Sequence, residues 1–133
     1  MQLSVAVRNA VLDSIETTIG TSARLKIRSG SAPASCASAD SGTVLADVTC
    51  PSDWQSAAAT GSKAKLGTWE DTSADATGTA GHFRLYASDG TTCHLQGTVT
   101  VTGSGGDMTL DNVSITSGQT ITITSFTFTA GNA

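Results

Sequence analysis

Residues 119–129 read Gln119-Thr120-Ile121-Thr122-Ile123-Thr124-Ser125-Phe126-Thr127-Phe128-Thr129, threonine alternating with a large apolar residue. A period of two is the signature of a strand with one face buried. The apolar phase slips once, because Ile121 and Ile123 are odd-numbered while Phe126 and Phe128 are even. One extra residue near Thr124-Ser125 returns both pairs to the same face, so a β-bulge is predicted there. The stretch specifies architecture: nothing in it binds a metal, activates a nucleophile or holds a phosphate.

Outward from this ribbon the same period recurs in short segments. Residues 23–29 form a strand with Leu25 and Ile27 inward, and 43–50 a second one ended by Pro51, which cannot donate to a sheet ladder. Residues 63–70 read as a third strand carrying Leu66 or Trp69, and the polar, small segment up to Gly42 as a long loop. Residues 81–88 and 92–102 flank Asp89-Gly90, a dipeptide that tolerates the positive φ of a tight turn. A two-residue loop sets Leu85 against His94 and a three-residue loop sets it against Leu95; the apolar pairing is preferred, with a glycine bulge. Gly103-Ser104-Gly105-Gly106 reads as another turn and 107–115 as a further strand. Short strands separated by Gly, Asp and Ser turns predict a mainly β fold, an antiparallel β-sandwich or jelly-roll-like domain.

The first twenty residues differ. Val7, Val11, Ile15 and Ile19 recur every four residues with Leu12 beside them, which predicts an amphipathic helix capped by Ser4 and stopped by Gly20. Arg8, Asp13 and Glu16 fall away from the apolar stripe, which is expected to cover an edge of its own sheet or to pack on a neighbouring subunit. The chain thus divides into a helix over 1–20 and a β-sandwich over 21–133, a single domain overall.

At 133 residues, folding removes roughly two-thirds of the unfolded chain's surface, enough for one core. Charged residues make up 14%, against roughly 25% in average globular proteins. A surface finished in hydroxyls and methyls suits close packing against another protein. The net charge of −4 opposes capture of nucleic acid. Arg24, Lys26 and Arg28 share one strand face opposite Leu25 and Ile27, a pattern that reads as a solvated face or one that salt-bridges to an acidic neighbour. No segment reaches the ~20 apolar residues of a membrane span, and the first ten residues lack the pattern of a signal peptide. Three cysteines, Cys36, Cys50 and Cys93, leave at least one free thiol, favour a reducing compartment, and allow one bridge.

Residues with chemical capacity are scattered. His82, His94 and Cys93 are near one another on the predicted hairpin, but Cys93 and His94 point to opposite faces, so no metal site is expected. Serine is abundant without a Gly-x-Ser-x-Gly elbow. Asp47, Asp53, Glu70 and Asp71 fit local hydrogen-bond acceptors better than a glycosidase pair. No catalytic residue and no cofactor is expected. Trp54, Trp69 and Tyr86 read as core or interface anchors, or as sugar-stacking platforms.

The order of motifs carries a resemblance. Glu16-Thr17-Thr18-Ile19-Gly20 is followed by Leu25-Lys26-Ile27-Arg28-Ser29-Gly30-Ser31-Ala32-Pro33 and by Gly42-Thr43-Val44-Leu45-Ala46. Then come Ala76-Thr77-Gly78-Thr79-Ala80-Gly81-His82-Phe83-Arg84, Asp89-Gly90-Thr91-Thr92 and Ser117-Gly118-Gln119-Thr120-Ile121-Thr122-Ile123. Over nearly its whole length the chain resembles small β-rich structural proteins of tailed bacteriophages and prophages. The resemblance implies a non-enzymatic virion protein, assembled in the host cytoplasm. The expectation built on it is a homo-oligomeric capsid decoration or cement protein, partnered by the major capsid protein or other virion proteins. The alternative is a tail- or neck-associated adhesion module for host glycans. The expected contact residues are Val11, Leu12 and Ile15 on the helix, Arg24, Lys26 and Arg28 on the strand, and the anchors Trp54 and Trp69.

Overall fold

The computed structural model describes residues 1–132. Helix α1 (Val5–Ile19) precedes β1 (Arg24–Ser29), β2 (Val44–Thr49), β3 (Ser62–Ala64), β4 (Glu70–Asp71), β5 (Gly78–Tyr86), β6 (Cys93–Val101), β7 (Met108–Leu110), β8 (Ser114–Ile115), β9 (Ile121–Thr122) and β10 (Thr127–Thr129). The fold is β-rich with one N-terminal helix, as the periodicities predict. Its main sheet runs β2-β1-β5-β6-β7, with β8 also on β5, and two short ribbons pair β10 with β3 and β4 with β9.

Strand register assembles the core. Leu25 lies between Val48 and Leu85, and Ile27 between Ala46 and Phe83. Directly opposed residues share a face, so the odd positions of β1 and β5 combine into one apolar surface. The ribbons supply the second layer: the Phe126 ring is 5.5 Å from Trp69 and 5.6 Å from Phe83, and Trp54 is 5.8 Å from Trp69. Gly97 of β6 faces Phe83 of β5, where a Cβ would stand 2.8 Å from the phenyl ring and 2.9 Å from Asp107 Cβ, so the missing side chain makes room for both.

The β5–β6 hairpin takes the register that sets Leu85 against Leu95, with the irregularity between Leu85 and Tyr86. Asp89 closes its turn by accepting the Thr91 and Thr92 amides at 2.8 and 2.9 Å. Three other expectations are corrected. Residues 63–70 are two strands, β3 and β4, with Leu66 exposed and Trp69 buried. The slip at Thr124-Ser125 is larger than a bulge: the chain changes partner there, from β4 to β3. Ile123 N–H bonds to Trp69 C=O on one side and Lys65 N–H to Phe126 C=O on the other, so both halves are satisfied and both aim Ile121, Ile123 and Phe126 inward. Finally, residues 107–115 form β7 and β8, and β7 runs parallel to β6. After β6 the chain doubles back until the Asp107 carboxylate accepts the amide and hydroxyl of Thr98, both at 2.8 Å, and then resumes the original direction.

Candidate functional site

Two surfaces carry unusual arrangements of side chains. The first is the sheet face opposite the apolar core. There Arg24, Lys26 and Arg28 of β1 lie beside Tyr86, Arg84 and His82 of β5, and Cys93, Gln96 and Thr98 of β6 continue the rows. The middle of this face is covered. The segment between β1 and β2 straps across it, and Arg84, only 1% exposed, donates to the carbonyls of Cys36 at 2.8 Å and Ser38 at 3.2 Å.

Asp40 is the hub of the strap. Its carboxylate receives Arg84, Arg28 at 2.6 Å and the Tyr86 hydroxyl at 2.7 Å. Burial pushes this carboxyl up, but the Tyr86 hydroxyl and the two guanidinium groups outweigh it and hold it below the usual carboxylate range. Burial and the same bond push the Tyr86 phenol up to about 12. His82 is fully buried and pairs through Nδ1 with the Gly30 carbonyl at 2.9 Å, and Gln96 donates to the Pro33 carbonyl at 2.6 Å. Arg24 pairs with Asp47 at 2.5 Å, and Lys26 donates to the Gly90 carbonyl at 2.8 Å while lying over the Tyr86 ring. The expected solvated cationic face, or one awaiting an external acid, is thereby corrected: Arg24 and Arg28 are answered by Asp47 and Asp40 of the same chain, and Lys26 by a backbone carbonyl.

The second surface is α1. Ser4 caps it by accepting the Val7 amide, and Gly20, at φ 88°, ends it. The expected apolar stripe divides: Leu12, Ile15 and Ile19 dock, Val7 and Val11 face outward, and the polar residues dock as well. Arg8 donates to the Ala130 carbonyl at 2.7 Å, and Asn9 accepts the Gly61 amide at 2.8 Å. Asp13 and Glu16 flank the buried Lys63 ammonium at 2.9 and 3.0 Å. Burial pushes the Lys63 ammonium down, but these carboxylates overcome it and raise its pKa. Gly61 has φ +77°, and a Cβ there would overlap the Arg8 guanidinium, so the dock requires glycine. Leu12 and Ile19 are buried with the polar groups and Ile15 is half-buried. The opposite face, Ala6, Val7, Ala10, Val11, Ser14, Thr17 and Thr18, is exposed and carries no charge.

Of the expected contact residues, Val11 is 50% exposed and Ile15 lies at the edge of the outward face. Leu12 and Arg28 are buried within the protomer, and Arg24 and Lys26 are half-buried and engaged. Trp54 and Trp69 are 0% exposed, their indole N–H groups donating to the Gly20 and Leu66 carbonyls, so neither is a contact anchor or a sugar platform; Tyr86 is equally buried. Asp40, Arg84 and Lys63 organise the two surfaces without having been singled out in the sequence. A signal for the first two existed: Asp40 is the one carboxylate between Glu16 and Asp47, and Arg84 continues the polar, even-numbered side of an otherwise apolar strand.

Among the described residues no group of three or more His, Cys, Asp and Glu side chains is placed to hold a metal ion, and no helix is long and apolar enough to cross a membrane. Comparison with protein-family models, curated proteins and solved structures finds no match to this chain.

Proposed function

We propose that the protein is a non-enzymatic structural protein of a bacteriophage virion, a decoration or cement protein that binds the outer surface of the head in homo-oligomeric form, with the major capsid protein as partner. The observation that carries this reading, beside the motif resemblance, is the uncharged outward face of α1. A solvated helix usually places its charges outward; here Arg8, Asp13 and Glu16 are all bonded to the rest of the chain, and the outward face is valine, alanine, serine and threonine. Such a face loses no charge hydration when covered. Each half-exposed valine contributes on the order of 1 kcal/mol on burial, little per copy but sufficient when symmetry repeats the contact across a shell.

The contact set is therefore Val7, Val11, Ser14 and Thr18 with the edge of Ile15, and no longer Leu12, Trp54 or Trp69. The glycan-binding alternative depended on Trp54, Trp69 and Tyr86 and retains no named residue. The test is addition of purified protein to heads lacking it, with bound copies counted by quantitative mass spectrometry. Stoichiometric binding is expected, and Val7→Glu or Val11→Glu weakens it at least ~10-fold, a loss equivalent to ~1.4 kcal/mol, without moving the thermal midpoint. Undiminished binding by both variants removes the helix from the contact; location at tail tips instead of heads overturns the reading.

A further inference from the structure

The strapped face also holds two thiols beside the hydrogen-bond network around Asp40. Cys36 on the strap and Cys93 at the start of β6 line one open cleft of about 340 Å³, together with Lys26, Asp40, Arg84 and Thr91. One guanidinium addresses both residues: Arg84 Nε donates to Cys93 Sγ at 3.2 Å, and its Nη2 to the Cys36 carbonyl at 2.8 Å. The two residues are thus neighbours on one cleft wall, joined through a single guanidinium. Both are half-buried and reachable from the cleft, whereas Cys50 is buried in the apolar core, where its thiol is pushed up to about 12.

We propose that Cys36 and Cys93 are a dithiol modification site that reacts with a small disulfide and closes to an intramolecular disulfide, fastening the strap covalently to the sheet. The Cys93 thiol loses its proton and attacks one sulfur of the reagent RSSR, whose S–S bond breaks; the departing RS⁻ takes up a proton. The Cys36 thiol then loses its proton and attacks the Cys93 sulfur of the mixed disulfide, and a second RS⁻ leaves and is protonated. Two protein thiols are oxidised by two electrons while one RSSR is reduced to two RSH. Cys93 is the first nucleophile because Arg84 stands at its sulfur. Burial and the neighbouring Cys36 nevertheless keep the Cys93 thiol protonated near neutrality, so closure is slow there and accelerates as pH rises. In a reducing compartment the strap is held by hydrogen bonds; in an oxidising one it is stapled. The site is independent of the proposed virion role.

The test uses the full chain incubated with oxidised glutathione at mildly alkaline pH, then alkylated and mapped by mass spectrometry, with a dithiothreitol-treated sample beside it. The expected product has lost two hydrogens and contains a single linked peptide pair, Cys36 with Cys93, while Cys50 alkylates only after unfolding. Its thermal midpoint rises by roughly 10 °C, because the bridge closes a long loop, and dithiothreitol reverses the rise. Cys50→Ser keeps the bridge and the shift; Cys93→Ser loses both. Separate glutathione adducts on Cys36 and Cys93, links between chains, a bridge to Cys50, or no reaction each overturn the proposal. The wild-type peptide map decides it even if a variant fails to fold.

Discussion

Strand β5 presents two faces built from alternate residues and held by different forces. Phe83 and Leu85 meet Leu25, Ile27, Leu95 and the ring of Phe126, a contact that is non-directional and distributed over many atoms. His82, Arg84 and Tyr86 meet a strap of backbone carbonyls and one carboxylate, contacts that work only at the right distance and angle. Three atoms on that polar face, His82 Nε2, Arg28 Nε and Gln96 Oε1, are buried without a partner. The apolar face therefore supplies most of the stability, and the polar face fixes where one long loop lies.

Truncation on the apolar side gives the largest expected effect. Trp69→Ala removes a fully buried indole held between Trp54 and Phe126 and should cost ~3–5 kcal/mol in urea unfolding. A loss under ~1 kcal/mol would mean that the ribbon layer is not part of the cooperative core. On the polar side Asp40→Ala strands two guanidinium groups, but its carboxylate is 39% exposed, so screening reduces the expected cost to about 2 kcal/mol. The signature differs as well: hydrogen exchange should accelerate across the strap in Asp40→Ala and through the whole sheet in Trp69→Ala. Because the Asp40 carboxyl titrates below its unfolded value, its contribution is present above about pH 4 and lost as pH falls through the folded value. Asp40→Ala should flatten that acid limb.

The two faces were unequally legible. Period-two alternation in 23–29 and 81–88 identifies Leu25, Ile27 and Leu85 as inward, and matching apolar with apolar selects the Leu85 with Leu95 register. The polar face has the same periodicity, yet its partners are carbonyls of Cys36 and Ser38, and a carbonyl is identical at every position of a sequence. The helix shows the same blindness: spacing defines its two sides but not which one docks, because Lys63, Gly61 and Ala130 decide that from far along the chain. Gly103–Gly106 marks a change of direction without revealing that Asp107 returns to Thr98 and makes β7 parallel.

A smaller effect separates burial from charge on the polar face. Tyr86→Phe removes one hydroxyl from Asp40 and should cost ~1 kcal/mol near neutrality. The folded phenol is pushed up to about 12, above its usual value near 10, so its contribution is fully present below about pH 10 and lost as pH rises toward 12. Lys63, also raised, and Cys50, raised to about 12, act in the same direction. The variant should therefore flatten part of the alkaline limb and not all of it. An unchanged limb would place the alkaline loss on the helix dock, the core thiol and Cys93.

The smallest effect is expected where the polar face opens to solvent. Arg24 and Asp47 pair at 2.5 Å with side chains 35% and 20% exposed, outside the strap. Arg24→Ala should cost ~0.2–1 kcal/mol, and salt near 1 M, where screening acts over about 3 Å, should erase most of the difference. Arg84→Ala, beneath the strap, should keep its larger penalty at the same salt, since a buried guanidinium and the carbonyls it serves are little screened. Equal salt sensitivity of the two variants would mean that this face is held by charge in general. Divergence ties its stability to the strap, whose removal would leave Arg28 and Arg84 without their oxygen acceptors.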